Sequence, residues 1–289
     1  VGAGNEGVGA GHASGIVRTG EEQRTELAVQ EKEAGLNVQI WKNYTDEMSI
    51  TLVNPSGVQI GPLQEVLGPQ RFRVGQTELF LYYGMPAPYS TRQEIFIDFL
   101  AVNDYIASGL WQIILTGNRV VDGRYDLWLP GGGVLNSGTG FIRPSAQATM
   151  TIPATASRVI TIGAYDARTF TYADFSGRGY ADSTRTIGVT AAGLTKPDLV
   201  APGVNIQAPD VYGSFLPVTG TSFATPIVSG AAALLMEWGI VQGNDPFLYG
   251  EKVKAYFRKG ARPLRGETEY PNDRVGYGKL CVAESLLEN

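Results

Sequence analysis

Hydrophobic and polar residues alternate with a period of two through the first half of the chain. The alternating segments lie around residues 38–40, 50–52, 79–83, 95–99, 111–115 and 125–129. This alternation is typical of strands that bury one face. Turn signals separate the segments, such as NPSG at 54–57 and DG at 122–123. We therefore predict an antiparallel β-sandwich or jelly roll.

The second half of the chain shows a pattern in which strands alternate with helices. Residues 159–164 and 186–190 are predicted strands, and 226–239 is a predicted helix. That helix is apolar on nearly every face, so we expect it to be buried at the centre of a domain. Residues 252–265 carry six basic side chains, which we expect on the solvated face of a surface helix and loop. The pattern predicts an α/β fold with a parallel sheet.

Composition narrows the class of protein. The chain has 289 residues, 43% hydrophobic and 18% charged, with a net charge of −5. These values fit a globular protein and give no basic footprint for nucleic acid. No apolar run approaches the roughly 20 residues that span a bilayer, so we expect no membrane span. The single cysteine, Cys281, excludes an intrachain disulfide and leaves the compartment open.

A Gly-Thr-Ser turn at 220–222 runs directly into the apolar helix. It places the Ser222 hydroxyl at a helix N-terminus, where unpaired N–H groups and the helix dipole stabilise developing negative charge. Hydroxyl nucleophiles that attack acyl groups need this arrangement. Gly220 and Thr221 are expected to have geometric roles near the site.

Several segments occur in the order typical of one protein family. They are VGAGNEG at 1–7, VITIGA at 159–164, DFSGRG at 174–179, KPDLVAPG at 196–203 and TGTSFATPIVSG at 219–230. Together they resemble the subtilisin-like serine proteases, and the chain most resembles the clostridial spore-germination proteases and their gut-bacterial relatives. The resemblance implies a subtilisin-like parallel sheet flanked by helices, with an inserted antiparallel jelly-roll domain.

The resemblance also implies domain boundaries and residue roles. Residues 1–15 and 141–289 would form the C-terminal part of the catalytic domain, and 16–140 the insertion. Ser222 would be the nucleophile, and Asn5 the side-chain oxyanion donor. Gly2, Ala3 and Gly4 would form one wall of the substrate pocket, and the Ile152–Pro153 bond would be cis.

The catalytic Asp and His of the family lie upstream of the segment that carries Asn5. We therefore interpret the chain as the C-terminal portion of a longer protease, and expect an N-terminal segment carrying both residues as its partner. His12, the only histidine, lies in a glycine-rich stretch without the family's His-Gly-Thr context. We expect it to be an exposed linker residue rather than the base.

Two functions remain open at this point. The chain is either a serine endopeptidase acting through an acyl-enzyme on Ser222, or a catalytically inactive member of the fold that acts by binding. Protein or peptide substrates follow from the first. We expect no cofactor. Asp174, Asp182, Asp198 and Asp210 are too scattered to specify a metal site, and calcium, which some relatives bind, is not specified. The inserted domain is expected to brace the catalytic domain, although an adhesive or carbohydrate-binding role is an alternative.

Overall fold

The computed structural model describes residues 1–66, 68–85, 87–88, 90–180 and 195–286. Two compact units are present. One, the β unit, contains residues 9–145, and the other, the catalytic unit, contains Val1–Val8 and the described residues from 146 onward. The predicted strand at 186–190 and the acid Asp182 lie outside the described residues.

The β unit consists of two antiparallel sheets. One has six strands in the order β1-β10-β3-β8-β7-β6, and the other has five in the order β11-β2-β9-β4-β5. The strands are β1 (His12–Ile16), β2 (Glu22–Val29), β3 (Gly35–Asn43), β4 (Glu47–Val53), β5 (Gln59–Leu63), β6 (Gln70–Val74), β7 (Thr77–Tyr83), β8 (Arg92–Ala101), β9 (Gly109–Arg119), β10 (Arg124–Trp128) and β11 (Gly140–Phe141). Every predicted period-two segment lies in one of them, except that Leu129 follows the last residue of β10.

Alternate residues of these strands form a single core between the two sheets. Val38 and Ile40 on one sheet and Ile50 and Leu52 on the other are buried in it. Trp111 is also fully buried, and its indole N–H donates to the carbonyl oxygen of Ala107 at 2.8 Å. Because both sheets contribute one apolar face, the period-two pattern produces a sandwich, as predicted.

The boundaries of the β unit differ from the predicted 16–140. Strand β1 pairs with β10, and β11 pairs with β2. Residues 9–15 and 141–145 therefore belong to the β unit and not to the catalytic unit. The glycines of 9–15 favoured a linker, but pairing with β10 satisfies their backbone groups.

The catalytic unit contains a small sheet and three helices. Its elements are β12 (Ile162–Asp166), β13 (Thr171–Tyr172), β14 (Leu199–Pro202), β15 (Ile206–Pro209), β16 (Phe215–Val218), α1 (Thr221–Met236), a π-helical turn (Glu237–Val241), α2 (Gly250–Lys259) and α3 (Val282–Leu286). Strands β12 and β14 are parallel. Gly2 forms a parallel bridge with Ile162, so the start of the chain lies beside β12. The mixed α/β architecture confirms the predicted fold class.

Helix α1 buries one face rather than its whole circumference. The buried residues Ala224, Val228, Ala231 and Leu235 recur every three or four positions and belong to the core that includes β12 and β14. On the rest of the surface, Leu234 is 55% exposed. The expectation that this helix is buried all round is therefore wrong for this chain.

Together with the π-helical turn, α1 forms a 21-residue helix, Thr221–Val241, that is long and apolar enough to cross a membrane. The sequence-based expectation of no such segment overlooked this run, because polar Ser222 and Thr225 interrupt it. Length and composition are weak support for a span, since core helices of soluble proteins satisfy the same criteria.

Candidate active site

The first turn of α1 carries the predicted nucleophile. Gly220 precedes the helix with φ 152° and ψ 159°, a backbone conformation that glycine adopts most readily. Ser222 is the second residue of the helix and is exposed. The first turn contains no acidic residue, so no carboxylate there offsets the positive end of the helix dipole.

Asn5 is held against this helix terminus by Thr221. The Thr221 N–H donates to Asn5 Oδ1 at 3.0 Å, and the Thr221 hydroxyl donates to the same oxygen at 3.1 Å. A backbone N–H can only donate, so the atom of Asn5 that faces it must be the oxygen. The Asn5 Nδ2 group is thereby turned away from Thr221 with its two N–H donors.

The Asn5 amide nitrogen lies next to Gly220. A Cβ atom built on Gly220 would lie 3.3 Å from Asn5 Nδ2, so a side chain there would press on the amide. The N–H of Ser222 donates to no acceptor within the described part of the chain, whereas the N–H of Phe223 donates to the Gly220 carbonyl at 3.1 Å. Two N–H donors, one from the Asn5 side chain beside Gly220 and one from the Ser222 backbone, are thus available at the N-terminus of α1.

Backbone hydrogen bonds fix the segment that carries Asn5. The Ala3 N–H donates to the Ile162 carbonyl at 2.8 Å, and the Ala3 carbonyl accepts from the N–H of Thr151 at 3.1 Å. The Gly4 carbonyl accepts from the N–H of Gly177 at 2.9 Å. Each bond joins the segment to a different part of the catalytic unit, so Asn5 sits on a rigid support.

The predicted pocket-wall residues lie close to other backbone and side-chain atoms. Gly4 has φ 96°, and a Cβ atom there would lie 2.7 Å from Thr151 Oγ1. A Cβ atom on Gly2 would lie 3.0 Å from Thr221 Oγ1, and Ala3 is fully buried. Pro153 follows Thr151 closely, and the Ile152–Pro153 bond is cis as predicted. The small residues are therefore required by close packing, whatever they contact in a substrate.

His12 does not belong to this site. It lies in β1 of the β unit and is 2% exposed, so the expectation of an exposed linker residue is wrong. Its Nε2 lies 3.2 Å from Asp126 Oδ1, and its ring stacks on Trp128 with centroids 4.8 Å apart. Strand pairing produces this burial, and the glycines around His12 concealed the strand.

A buried cluster of charges, missed in the sequence, lies elsewhere in the catalytic unit. Asp198 is fully buried. Its Oδ2 accepts from the Thr161 N–H at 2.6 Å and from Lys196 Nζ at 2.8 Å. Its Oδ1 lies 3.2 Å from Lys254 Nζ and 3.0 Å from Arg258 Nε. We call these four charged residues, Lys196, Asp198, Lys254 and Arg258, the Asp198 cluster.

The Asp198 cluster corrects the expectation for two basic residues. Lys254 and Arg258 of α2 were expected on a solvated face, but their four-residue spacing turns both toward Asp198, and that spacing was the signal in the sequence. Burial lowers the pKa of Lys196 to about 8, although the charge of Asp198 opposes this effect. Lys196 and Lys254 also donate to the Val159 carbonyl, at 2.6 and 3.0 Å, which anchors the chain shortly after Pro153.

The described residues contain no group of three or more His, Cys, Asp or Glu side chains that could hold a metal ion. Asp174 is exposed and Asp210 is half-buried, and neither belongs to the Asp198 cluster. The donors that surround Asp198 are cations and an N–H group, which leave no room for a metal on that carboxylate.

Comparison with known proteins bears on these observations. The model described as the subtilase family (Peptidase_S8) matches residues 88–278. The chain belongs to the subtilase family. Its relatives include serine proteases, and the predicted family resemblance is confirmed.

Individual relatives agree with this assignment. The structure of the CspB protease of Clostridium perfringens matches with a TM-score of 0.88 at 38% identity, over 99% of this chain and 58% of that one. The serine protease AprX of Bacillus subtilis is 32% identical over 144 residues, which are 43% of this chain and 29% of AprX. Subtilisin BL of Lederbergia lenta is 28% identical over 166 residues, covering 56% of this chain and 44% of that protein. The chain spans less than two thirds of the length of each.

Proposed function

We propose that this chain provides the nucleophile and the oxyanion donors of a subtilisin-like serine endopeptidase. The observation that carries the proposal is the pair formed by Asn5 and Ser222. Thr221 orients the amide of Asn5, and Ser222 lies one residue further along the same helix terminus. Membership of the subtilase family supports peptide bonds as the substrate class.

The proposed reaction is acyl transfer to Ser222. The Ser222 oxygen attacks the carbonyl carbon of the scissile bond while its proton passes to a base. The negative charge that develops on the carbonyl oxygen receives hydrogen bonds from Asn5 Nδ2 and from the Ser222 N–H. The C–N bond then breaks as the amine takes the proton, and water hydrolyses the acyl-serine.

We assign the base to a segment N-terminal to Val1 that carries an Asp and a His. In the described residues, no side chain hydrogen-bonds the Ser222 hydroxyl, and the only histidine lies in the β unit. Two features of the catalytic unit fit a docked segment. The exposed side of α1 is apolar, including Ile227, Leu234 and Met236. Gly2 bridges Ile162 along one edge of the segment that carries Asn5. Within the described residues, the N–H and carbonyl of Gly2 make no backbone hydrogen bond on the other edge, which leaves that edge for a further parallel strand.

The rival function is a subtilase fold that binds without catalysis. In that case Ser222 would never be activated, because a serine hydroxyl is a poor nucleophile without a positioned base. A fluorophosphonate probe distinguishes the two functions, since it reacts with activated serines. Labelling is read by intact mass on the chain alone, on the chain with its upstream segment, and on a Ser222→Ala variant of the latter.

We expect stoichiometric labelling at Ser222 when the upstream segment is present, and none in the Ser222→Ala variant. Labelling of the chain alone would contradict the assignment of the base to the upstream segment. If the complete protein is folded and remains unlabelled, the peptidase proposal is wrong and the binding function replaces it. A Tyr212→Ala variant on the exposed β15–β16 hairpin serves as a labelled control.

A further inference from the structure

The outer face of the six-stranded sheet in the β unit presents aromatic rings around two carboxylates. On β8, the core takes Ile95, Ile97 and Phe99, so Glu94, Phe96 and Asp98 point to the opposite face. The same alternation places Asn37, Gln39 and Trp41 of β3, and Phe80 and Tyr82 of β7, on that outer face. We call these eight residues the aromatic–acid face.

The strand register places these residues side by side in rows that run across the sheet. Phe96 lies between Gln39 and Tyr82 in one row. Trp41 lies opposite Glu94 in the next. Neighbouring strands lie about 4.8 Å apart, and residues two apart on one strand lie about 7 Å apart. Glu94 therefore has Trp41 and Phe96 as neighbours on the face, together with Arg92, which precedes it by two residues and pairs with Asp126.

Asp98 has the same kind of surroundings as Glu94. It lies opposite Asn37 on one side and Phe80 on the other, with Phe96 two residues before it on the same strand. Trp41, Phe80 and Phe96 are only partly exposed, and Tyr82 is 43% exposed. None of the four is among the residues packed into the sandwich core, so their rings cover the outside of the sheet.

Neither carboxylate has a partner within the part of the chain that the structure describes. Two other acids on the same sheet are paired: Glu78 with Arg71, and Asp126 with Arg92 and His12. Glu94 and Asp98 form no such ion pair, and partial burial raises the pKa of both. Charged groups that lose water without gaining a partner are unfavourable. A cation bound at this face would therefore stabilise the charged carboxylates of Glu94 and Asp98.

The geometry points to one class of ligand. The two carboxylates lie four residues apart on β8, about 13 Å, which is too far to chelate one metal ion. Their charge repels phosphates, which disfavours nucleic acid. A guanidinium or ammonium group can contact the face of an aromatic ring and pair with a carboxylate at the same time. An extended peptide places side chains four positions apart at the same 13 Å.

We propose that the aromatic–acid face binds a basic polypeptide segment, with Lys or Arg side chains over Glu94 and Asp98 and their aliphatic stems on the rings of Trp41 and Phe96. The Phe80 ring already lies under the guanidinium of Arg71 of this chain, 5.0 Å from its centroid. The proposal does not depend on the peptidase function, because every residue in it belongs to the β unit. It assigns the inserted domain a recognition role in addition to bracing.

A binding experiment on the full chain tests this proposal, with Ser222→Ala as background to prevent cleavage. The probe is a fluorescein-labelled 12-residue Gly/Ser peptide with arginines at positions 4 and 8, followed by anisotropy. The matched peptide carries citrulline, a neutral isostere of arginine, at both positions. The variants are E94Q/D98N on the face and, as control, E26Q on β2 of the other sheet.

We expect saturable binding of the arginine peptide with a Kd below about 1 mM, weakening as salt rises. E94Q/D98N should weaken it about tenfold or more, citrulline should abolish it, and E26Q should leave it unchanged. Trp41→Leu, which keeps both carboxylates, should also weaken it. Equal affinity for E94Q/D98N and its parent, or no binding up to 1 mM, would overturn the proposal. Binding of chitohexaose in place of the arginine peptide would overturn it in favour of a glycan site.

Discussion

Replacement of Asp198 by alanine tests the energetics of the buried charges in the catalytic unit. The carboxylate is fully buried and shared by Lys196, Lys254 and Arg258. Its removal leaves three cations, two of them almost completely buried, without an anion. Only uncharged partners would remain, namely the Val159 carbonyl and the Thr161 hydroxyl for Lys196, and backbone carbonyls for Lys254.

The loss of unfolding free energy in Asp198→Ala is set by the burial of the ion pairs and by the pKa of Lys196. Removing one partner of a buried ion pair costs about 3–5 kcal/mol. Loss of a proton by Lys196 limits the penalty for that residue, since its pKa, already near 8, falls further when Asp198 no longer raises it. Discharging a lysine of ordinary pKa 10.5 costs about 1.4 kcal/mol for each pH unit, or about 5 kcal/mol at pH 7. We expect Asp198→Ala to lower the free energy of unfolding by about 3–5 kcal/mol at pH 7.

The pH dependence identifies Lys196 as the responsible group. A lysine whose folded-state pKa lies below its unfolded value makes the protein more stable as pH rises between the two. In the wild type, this rise in stability begins near pH 8, the folded-state pKa of Lys196. In the variant the rise begins at a lower pH. The stability difference between the two proteins should therefore narrow by about 1.4 kcal/mol between pH 7 and pH 9.

Urea and thermal unfolding of the chain at both pH values provide the measurement. At about 2–4 °C per kcal/mol, the midpoint should fall by roughly 6–20 °C at pH 7. Asp174→Asn, at an exposed position of the same unit, should change stability by less than about 0.5 kcal/mol. A loss below 1 kcal/mol for Asp198→Ala would refute the reasoning, and a difference that does not change with pH would refute the role of Lys196.

Three further outcomes follow from the site and the aromatic–acid face. Asn5→Ala should lower the kcat of the complete protease about 10²–10³-fold with little change in KM, the loss known for the asparagine donor of subtilisin itself; an unchanged kcat would exclude Asn5 from the oxyanion site. Thr221→Val keeps the side-chain shape but removes the hydroxyl bonds to Asn5 and Gly4, so kcat should fall less than in Asn5→Ala, and the double variant should be no worse than Asn5→Ala alone. E94Q/D98N should flatten the stability profile at pH values above about 4: a raised folded-state pKa stabilises the protein at low pH and loses that stabilisation as pH rises through it. A profile parallel to the wild type in chemical denaturation would contradict this.

The sequence was sufficient for the family, six of the strands of the β unit and the helix that follows Ser222. Period-two alternation is a local property, so β3, β4 and β7 to β10 were visible from their own residues, whereas β1, β2, β5, β6 and β11 were not predicted. The segments containing Asn5 and Ser222 were also recognisable, because a glycine-rich turn before an apolar helix is a contiguous pattern. Their roles in catalysis remain predictions until Ser222 is shown to react.

Only the tertiary structure decided which residues share an environment. Lys254 and Arg258 resemble ordinary surface residues until α2 is placed beside β14, where Asp198 neutralises them. His12 resembles a linker residue until β10 pairs with its strand. The apolar circumference of α1 predicted complete burial, whereas this chain covers only one side of it. In each case the deciding partner lies far away in sequence, and burial depends on how long-range contacts are satisfied rather than on local pattern.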